Sequence, residues 1–237
     1  MNHAHSPIIV ALDTSDVATA GRWIEATRES VSVFKVGLEF FLNFGAAGIA
    51  TLKELGEFQL FLDLKLHDIP NTVAGAVRAI EPLHPKFLTV HAAGGSAMIS
   101  AAAAVSPQID ITAVTILTSL TQEALHEMGL NGSPLDFATS FATNAVKAGA
   151  RAIVCSPHEV HAIRALVPDD VSLITPGVRP ANSEIGDQAR VMTPAEAIAA
   201  GSDYLVIGRP ITGLYDGSEV SLSRMGDAAK SILDSIS

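Results

Sequence analysis

The sequence predicts one α/β domain with the (β/α)8, or TIM-barrel, architecture. Short apolar segments alternate eight times with longer amphipathic segments along the 237 residues, as in a chain of β-then-α units. No linker, low-complexity tract or shift of composition divides the chain, and barrels of this length commonly form one domain. We therefore predict a single domain over residues 1–237, with residues 1–7 as a flexible polar tail.

A doubly wound open sheet is the main alternative for this alternation. That fold would place a Gly-x-Gly-x-x-Gly sequence directly after the first strand, where the backbone approaches a dinucleotide. The sequence has Asp13-Thr14-Ser15-Asp16 at this point instead. The barrel is therefore the favoured arrangement.

The predicted strands are short runs of apolar residues, and the predicted helices have apolar residues at helical spacing. The strands are Ile8–Leu12, Val33–Val36, Gln59–Leu64, Phe87–Val90, Ile111–Thr115, Ala152–Val154, Ser172–Ile174 and Tyr204–Ile207. The helices are Ala18–Arg28, Ala46–Leu55, Val73–Ile80, Ser96–Ala104, Leu135–Ala148, His158–Leu166, Pro194–Ala200 and Val220–Ile236. A further helical segment, Thr121–Gly129, could pack as ordinary surface or move over a bound ligand.

Composition and charge exclude several classes of function. Acidic residues outnumber basic ones by 25 to 15, which gives a net charge of −10 and argues against a nucleic-acid surface. The single cysteine, Cys155, cannot form an internal disulfide and fits a reducing compartment. No apolar stretch approaches the roughly 20 residues of a membrane span. We expect a cytoplasmic protein that binds neither membrane nor nucleic acid.

Polar residues are concentrated at the carboxyl ends of the predicted strands, where barrel enzymes carry their active sites. The third strand is the most unusual, because Asp63 and Lys65 lie two residues apart in it and Asp68 follows three residues later. Alternation in a strand would place Asp63 and Lys65 on one face, and buried charges are costly unless they are paired. With Lys35 from the second strand, the charges alternate in sign. Flanking carboxylates would keep Lys65 protonated and able to donate a proton to carbon.

A second cluster of residues predicts a phosphate site. Gly208 and Arg209 follow the eighth strand, and the long segment after the seventh strand supplies Arg179 and Gln188. The loops after strands seven and eight commonly bind phosphate in such barrels, and an arginine can contact two phosphate oxygens at once. Residues 176–192 are numerous enough to form a closing lid.

Several short sequences, in order along nearly the whole chain, resemble the orotidine 5′-phosphate decarboxylase family. The most specific is Asp63-Leu-Lys-Leu-His-Asp-Ile-Pro-Asn-Thr72. The others are Val10-Ala-Leu-Asp13, Phe34-Lys-Val-Gly37, Val90-His-Ala92, Leu117-Thr-Ser119, Thr175-Pro-Gly-Val-Arg-Pro180, Asp187-Gln-Ala-Arg190 and Ile207-Gly-Arg-Pro-Ile-Thr212. The resemblance implies conversion of orotidine 5′-phosphate to UMP and CO2 in pyrimidine biosynthesis, without a cofactor or a metal.

The resemblance also implies a role for each site residue. Lys65 would donate a proton to C6 of the pyrimidine, and Asp63 would lie against the scissile carboxylate. Lys35 would connect the charged residues to the ribose hydroxyls. Asp68 and Thr72 would reach into the neighbouring subunit of a homodimer. The remaining substrate-binding residues would be Asp13 at the ribose, Thr118 and Ser119 near the pyrimidine, Arg179, Gln188, Gly208 and Arg209 at the phosphate, and Pro176.

Two other functions stay open at this point. A Mg²⁺-dependent sugar-phosphate decarboxylase of the same superfamily, such as 3-keto-gulonate 6-phosphate decarboxylase, has a similar Asp-x-Lys-x-x-Asp pattern, and Asp63 and Asp68 could bind the ion. A barrel that binds a phosphorylated nucleotide without turnover would explain Arg209 but not Lys65. We also expect Cys155 to be a buried small residue rather than a nucleophile, and His91 to be structural rather than catalytic.

Overall fold

The computed structural model describes residues 6–180 and 192–236, and its eight strands form a closed barrel in sequential order. Neighbouring strands pair in parallel, for example Ile9 with Val33 and Phe87 with Asp110. The strands are β1 (Ile8–Ala11), β2 (Val33–Gly37), β3 (Gln59–Leu66), β4 (Phe87–His91), β5 (Asp110–Val114), β6 (Ala152–Val154), β7 (Ser172–Pro176) and β8 (Tyr204–Ile207). The predicted (β/α)8 class is confirmed, and every strand boundary lies within two residues of its prediction.

The described helices connect these strands in the predicted order. They are α1 (Val17–Thr27), α2 (Leu38–Lys53), α3 (Pro70–Ile80), α4 (Gly95–Ala103), α5 (Gln122–Glu127), α6 (Pro134–Lys147), α7 (Val160–Arg164), α8 (Pro194–Ala199), α9 (Arg209–Thr212) and α10 (Glu219–Asp234). Helix α2 begins eight residues before its predicted start, because Gly45, at φ 55° and ψ −148°, joins two helical segments through a kink. The short helix α9 was not predicted.

Side-chain caps explain where several helices begin. Asp16 precedes α1 and accepts a hydrogen bond from the Thr19 amide at 2.8 Å. Ser133 and Asp136 form a reciprocal capping box at the start of α6, with Pro134 at the first helical position. These contacts satisfy amides that have no partner inside the helix.

Two compact units make up the chain, and the first contains β1, β2, β8 and β3 as far as Asp63. Its helices α1 and α10 approach closely at Gly226, where an added Cβ atom would lie only 2.7 Å from the carbonyl oxygen of Ala26. Trp23 packs edge-to-face against Tyr215 in the same unit, with ring centroids 6.2 Å apart. A side chain at position 226 would therefore force the two helices apart.

The second unit contains the rest of β3 and strands β4 to β7. Its core side chains come from β4 to β7 and from the helices that cover them, and many are fully buried. At the amino end of β5, Asp110 pairs with Lys86 at 2.5 Å and with Arg151 at 2.7 Å. These ion pairs lie at the opposite end of the strands from the predicted active site, and we assign them a structural role.

The predicted tail over residues 1–7 is wrong for its last two residues. Ser6 is buried, and its hydroxyl donates a hydrogen bond to the Ser30 carbonyl at 2.6 Å. The Pro7 carbonyl accepts a hydrogen bond from the Leu205 amide at 2.8 Å, next to the pairing of β1 with β8. Residues 1–5 lie outside the described residues.

Across residues 6–180 and 192–236, no helix is both long enough and apolar enough to cross a membrane.

One buried carboxyl group makes the stability of the fold depend on pH. Glu159 is 7% exposed, and burial raises the pKa of its carboxyl from 4.5 to about 7, although one oxygen accepts a hydrogen bond from the Ser156 amide. The folded state therefore holds this proton more tightly than the unfolded state. Stability should fall as the pH rises from about 4.5 to about 7, by up to about 3 kcal/mol.

Glu159→Gln should remove this loss, so that the variant gains stability relative to the wild type between pH 5 and pH 8. Urea unfolding at several pH values measures the difference. Glu196→Gln is a matched control, because Glu196 caps α8 through the Thr193 amide in the same way but is exposed and has a lowered pKa. Parallel pH profiles for the wild type and Glu159→Gln would contradict this account.

Candidate active site

Lys35 lies between two carboxylates at the carboxyl ends of the first three strands. Its ammonium nitrogen is 3.2 Å from Asp13 and 3.5 Å from Asp63. The side chains of Lys35 and Asp63 are largely buried, whereas that of Asp13 is 62% exposed. A buried ammonium is costly unless it is paired, and both partners are carboxylates. The structure thus brings together three of the predicted site residues.

Gly37 provides the space for this cluster. It pairs in register with Asp63 on β3, and a Cβ atom added to it would lie 3.4 Å from the Lys35 nitrogen and 3.5 Å from an Asp13 oxygen. Both distances are ordinary van der Waals contacts, so a Cβ atom would lie against the ion pair without displacing it. The glycine therefore leaves the polar atoms of Lys35 and Asp13 accessible on this side.

Lys65 lies inside β3, but its backbone is not that of a regular strand. Its φ angle is 47°, in the left-handed region that residues other than glycine rarely adopt. A left-handed residue interrupts the regular alternation of a strand, and the expectation that Asp63 and Lys65 share one face stays a prediction. The Lys65 amide donates a hydrogen bond to the hydroxyl of Thr89 on β4 at 2.8 Å.

Two histidines lie near Lys65. The rings of His67 and His91 are stacked, with centroids 5.3 Å apart and planes at 22°. Burial lowers the pKa of His91, and the nearby His67 and Lys65 lower it further. His91 is therefore neutral near pH 7. Its Nδ1 atom is buried without a hydrogen-bond partner among the described residues, so the structure gives it no hydrogen-bonding role there.

Asp68 and Thr72 lie at the start of α3 and are exposed. An Asp68 carboxylate oxygen accepts a hydrogen bond from the Ile69 amide at 2.6 Å, and Pro70 begins the helix. The Thr72 amide donates to the Ile69 carbonyl at 3.0 Å. Ile69, which precedes the helix, is an apolar residue with 67% exposure.

Three other predicted substrate-binding residues, Thr118, Ser119 and Pro176, belong to the second unit. Thr118 and Ser119 are exposed in a turn closed by a hydrogen bond from the Leu120 amide to the Leu117 carbonyl at 2.9 Å. Pro176 ends β7 and is partly buried. Among the described residues, no group of three or more His, Cys, Asp or Glu side chains could hold a metal ion.

The residues predicted to bind phosphate differ in exposure. Arg179 is buried, and its amide donates to the Met192 carbonyl at 3.1 Å. Gly208 precedes α9, and Arg209, its first residue, is exposed. An added Cβ atom on Gly208 would lie 3.7 Å from the Ala11 side chain, an ordinary contact. Gln188 and most of the predicted lid lie outside the described residues.

Cys155 is 1% exposed, and burial raises the pKa of its thiol far above the usual range. A thiol that stays protonated is a poor nucleophile, so the structure supports the interpretation of Cys155 as a core residue. The contact between Thr89 and the Lys65 amide was not expected from the sequence. A hydroxyl inside the apolar strand Phe87–His91 was the available signal, but such threonines are also common in strands.

Two substitutions that remove a charge test whether burial sets how much the ion pairs of Lys35 contribute to stability. Lys35→Met leaves the buried Asp63 carboxylate without this ammonium and should lower the free energy of unfolding by about 3 kcal/mol. Asp13→Asn affects an exposed carboxylate and should cost less than about 1 kcal/mol. Urea unfolding at pH 7 measures both variants. Equal losses would show that exposure does not set the strength of these contacts.

Comparison with known proteins places this geometry in a family. A family model described as orotidine 5′-phosphate decarboxylase/HUMPS matches residues 6–222. The chain is 56% identical to the orotidine 5′-phosphate decarboxylase of Thermobifida fusca over 211 residues, covering 89% of this chain and 91% of the relative. It is 50% identical to that of Frankia casuarinae over 228 residues, covering 89% and 83%.

A solved structure shares the fold over nearly the whole chain. The crystal structure of orotidine 5′-phosphate decarboxylase from Lactobacillus acidophilus aligns with a TM-score of 0.81 and 35% identity, covering 97% of this chain and 99% of the other. The family match and these relatives extend over all eight strands and the ion cluster at their carboxyl ends. The chain therefore belongs to the orotidine 5′-phosphate decarboxylase/HUMPS family.

Proposed function

We propose that this protein converts orotidine 5′-phosphate to UMP and CO2, the last step of pyrimidine nucleotide biosynthesis, in the cytoplasm. The observation that carries the proposal is the buried Lys35, paired with Asp13 and Asp63, with Lys65 two residues beyond Asp63 on the same strand. The relatives from Thermobifida fusca and Frankia casuarinae, at 56% and 50% identity, bear the name of this activity.

The chemistry requires one bond to break and one to form at the same carbon. The bond between C6 and the carboxylate breaks, CO2 leaves, and the electron pair stays on C6 in the plane of the ring. A proton then moves from the Lys65 ammonium to C6 and gives UMP, and the neutral Lys65 amine takes a new proton from solvent. No electron is gained or lost, so the reaction needs neither an oxidant nor a reductant.

The sizes of two electrostatic interactions indicate whether Asp63 or Lys65 would contribute more to lowering the barrier. Two unit charges about 4 Å apart interact by roughly 4 kcal/mol at an effective dielectric constant of 20. Repulsion of the substrate carboxylate by Asp63 is thus smaller than the roughly 8–23 kcal/mol by which enzymes lower barriers. Attraction between the Lys65 ammonium and the developing carbanion grows toward the transition state, so it accelerates the chemical step directly. We therefore assign the larger contribution to Lys65.

The remaining contacts would hold the substrate in register. We assign Lys35 and Asp13 to the ribose hydroxyls. A second group would bind the two ends of the nucleotide: Thr118 and Ser119 at the pyrimidine, and Arg179, Gln188, Gly208 and Arg209 at the phosphate. Pro176 would be a further substrate contact. Binding energy at the phosphate would stabilise the closed, water-excluding state in which the charges act.

We further propose that the active unit is a homodimer in which Asp68 and Thr72 enter the partner's site. Both residues are exposed on either side of Ile69, an isoleucine with 67% exposure that a partner subunit would cover. A twofold axis would place the same surface on both subunits and complete both sites equally.

The deciding experiment follows the absorbance of orotidine 5′-phosphate and the release of CO2, with and without EDTA. Turnover that survives the chelator supports the proposal. Decarboxylation of 3-keto-gulonate 6-phosphate that requires Mg²⁺, without turnover of the nucleotide, would assign the protein to the sugar-phosphate branch. Binding of the nucleotide without release of CO2 would make it a non-catalytic barrel.

Lys65→Ala should reduce turnover of orotidine 5′-phosphate below detection, because the variant loses both the cation and the proton donor. Binding of UMP, measured by calorimetry, should persist, since the phosphate contacts stay intact. Lys147→Ala removes an exposed lysine at the end of α6 and should keep wild-type activity. Near-normal turnover by Lys65→Ala would rule out its proposed role.

Arg209→Ala should raise KM for orotidine 5′-phosphate by at least about tenfold, as expected for the loss of a charged hydrogen bond. Activity toward the nucleoside orotidine, which lacks the phosphate, should change little. Arg224→Ala is the control, because Arg224 is an exposed arginine of α10 that pairs with Asp216 at 2.9 Å. An equal loss for substrate with and without phosphate would remove Arg209 from the phosphate site.

Mixed dimers test the shared site. Lys65→Ala and Asp68→Ala should each be inactive alone, and a refolded equimolar mixture should recover about a quarter of wild-type activity, because half of the dimers regain one intact site. Size-exclusion chromatography establishes that dimers form. A mixture that stays inactive while hybrid dimers are present would show that Asp68 serves its own subunit.

A further inference from the structure

The backbone of Lys65 is the most unusual feature of β3. Among the described residues, only Lys65 and His84 combine a side chain with a positive φ angle, and His84 is the left-handed C-cap residue of the 3-10 helix Glu81–Leu83. Lys65 lies in a strand, where no turn requires this conformation. Such a conformation persists only where its surroundings enforce it, and it is concentrated at functional sites.

A side chain provides a hydrogen bond at this point of the sheet. Parallel strands pair through hydrogen bonds from amides to backbone carbonyls. The Lys65 amide donates a hydrogen bond to a side chain, the Thr89 hydroxyl oxygen, at 2.8 Å. Thr89 is 0% exposed and lies in β4, the barrel neighbour of β3. The acceptor is therefore buried and fixed to a strand.

We propose that Thr89 is a positioning residue for the reaction, which holds Lys65 in the left-handed conformation and so sets the direction of its ammonium group. This inference rests on the proposed function, in which Lys65 donates the proton to C6. The Thr89 contact fixes the plane of the Leu64–Lys65 peptide, from which the φ angle of Lys65 is measured. A regular strand conformation at residue 65 would turn the side chain toward another direction, because the side-chain direction in a strand follows the backbone angles.

The neighbouring strand offers a matched comparison. Thr112 on β5 pairs in register with Thr89, and it is also 0% exposed. Its hydroxyl donates to the Asp110 carbonyl of its own strand at 2.8 Å. The two threonines are therefore equally buried in the same sheet, but their hydroxyls make different hydrogen bonds. The Thr89 hydroxyl accepts from the Lys65 amide, whereas the Thr112 hydroxyl donates within its own strand. Loss of the Thr112 hydroxyl should affect stability alone, whereas loss of the Thr89 hydroxyl should affect the chemical step.

The test compares Thr89→Val, Thr89→Ser and Thr112→Val in the full-length protein. Thr89→Val keeps the shape but removes the acceptor. It should lower kcat at least about tenfold, equivalent to about 1.4 kcal/mol, while KM and the Kd for UMP change less than about threefold. Thr89→Ser restores the hydroxyl and should recover kcat to within about threefold of the wild type. Thr112→Val should keep the wild-type kcat.

Folding and turnover are measured separately. Melting temperatures are recorded for each variant, and if Thr89→Val does not fold, Thr89→Cys replaces it, because a thiol of similar size is only a weak acceptor. A wild-type kcat for the variant without the hydroxyl, no rescue by Thr89→Ser, or an equal loss in Thr112→Val would each overturn the proposal.

A failure of the proposed function would be seen first in the wild type, which would release no CO2 from orotidine 5′-phosphate. Crystal structures then decide the role of Thr89 without an assay. A negative φ at residue 65 in Thr89→Val, with φ near the wild-type value in Thr89→Ser, supports it. A φ that stays positive in Thr89→Val overturns it.

Discussion

The buried ammonium of Lys35 is the charge on which the geometry of the strand ends depends. Its side chain is only 11% exposed, so it requires the carboxylates of Asp13 and Asp63, at 3.2 and 3.5 Å. These three residues come from three consecutive strands, and each contact fixes one strand end relative to the next. Gly37 leaves the polar atoms uncovered. Burial of charged groups costs free energy, and here the pairing that offsets this cost also fixes the positions of the three side chains.

The direction of Lys65 depends on a second constraint, because its strand departs from regular geometry. A left-handed residue with a side chain costs of order 1–3 kcal/mol, and the hydrogen bond from its amide to Thr89 offsets part of that cost. The preceding residues of β3, from Leu60 to Leu62, are at most 1% exposed, and their packing holds the strand in place next to the strained residue.

Strand boundaries followed from the sequence because each buried strand is an apolar run with polar ends, and this pattern depends on burial alone. The cluster of Asp13, Lys35 and Asp63 followed from the same rule, since carboxyl ends of parallel strands meet at one rim. The φ angle of Lys65 could not be predicted, because no glycine marks it. The kink at Gly45 was missed for a different reason: a glycine within an apolar run does not reveal whether a helix ends there.

The lowered pKa of His91 keeps a second positive charge away from Lys65. Burial, His67 and Lys65 all lower the pKa of this imidazole, so it carries no charge near pH 7. A second cation beside Lys65 would repel its ammonium group, whose charge the proposed reaction requires. A neutral imidazole instead presents a flat, apolar face on which His67 stacks. Because the folded state favours neutral His91, acid that protonates this residue destabilises the fold as well as the surroundings of Lys65.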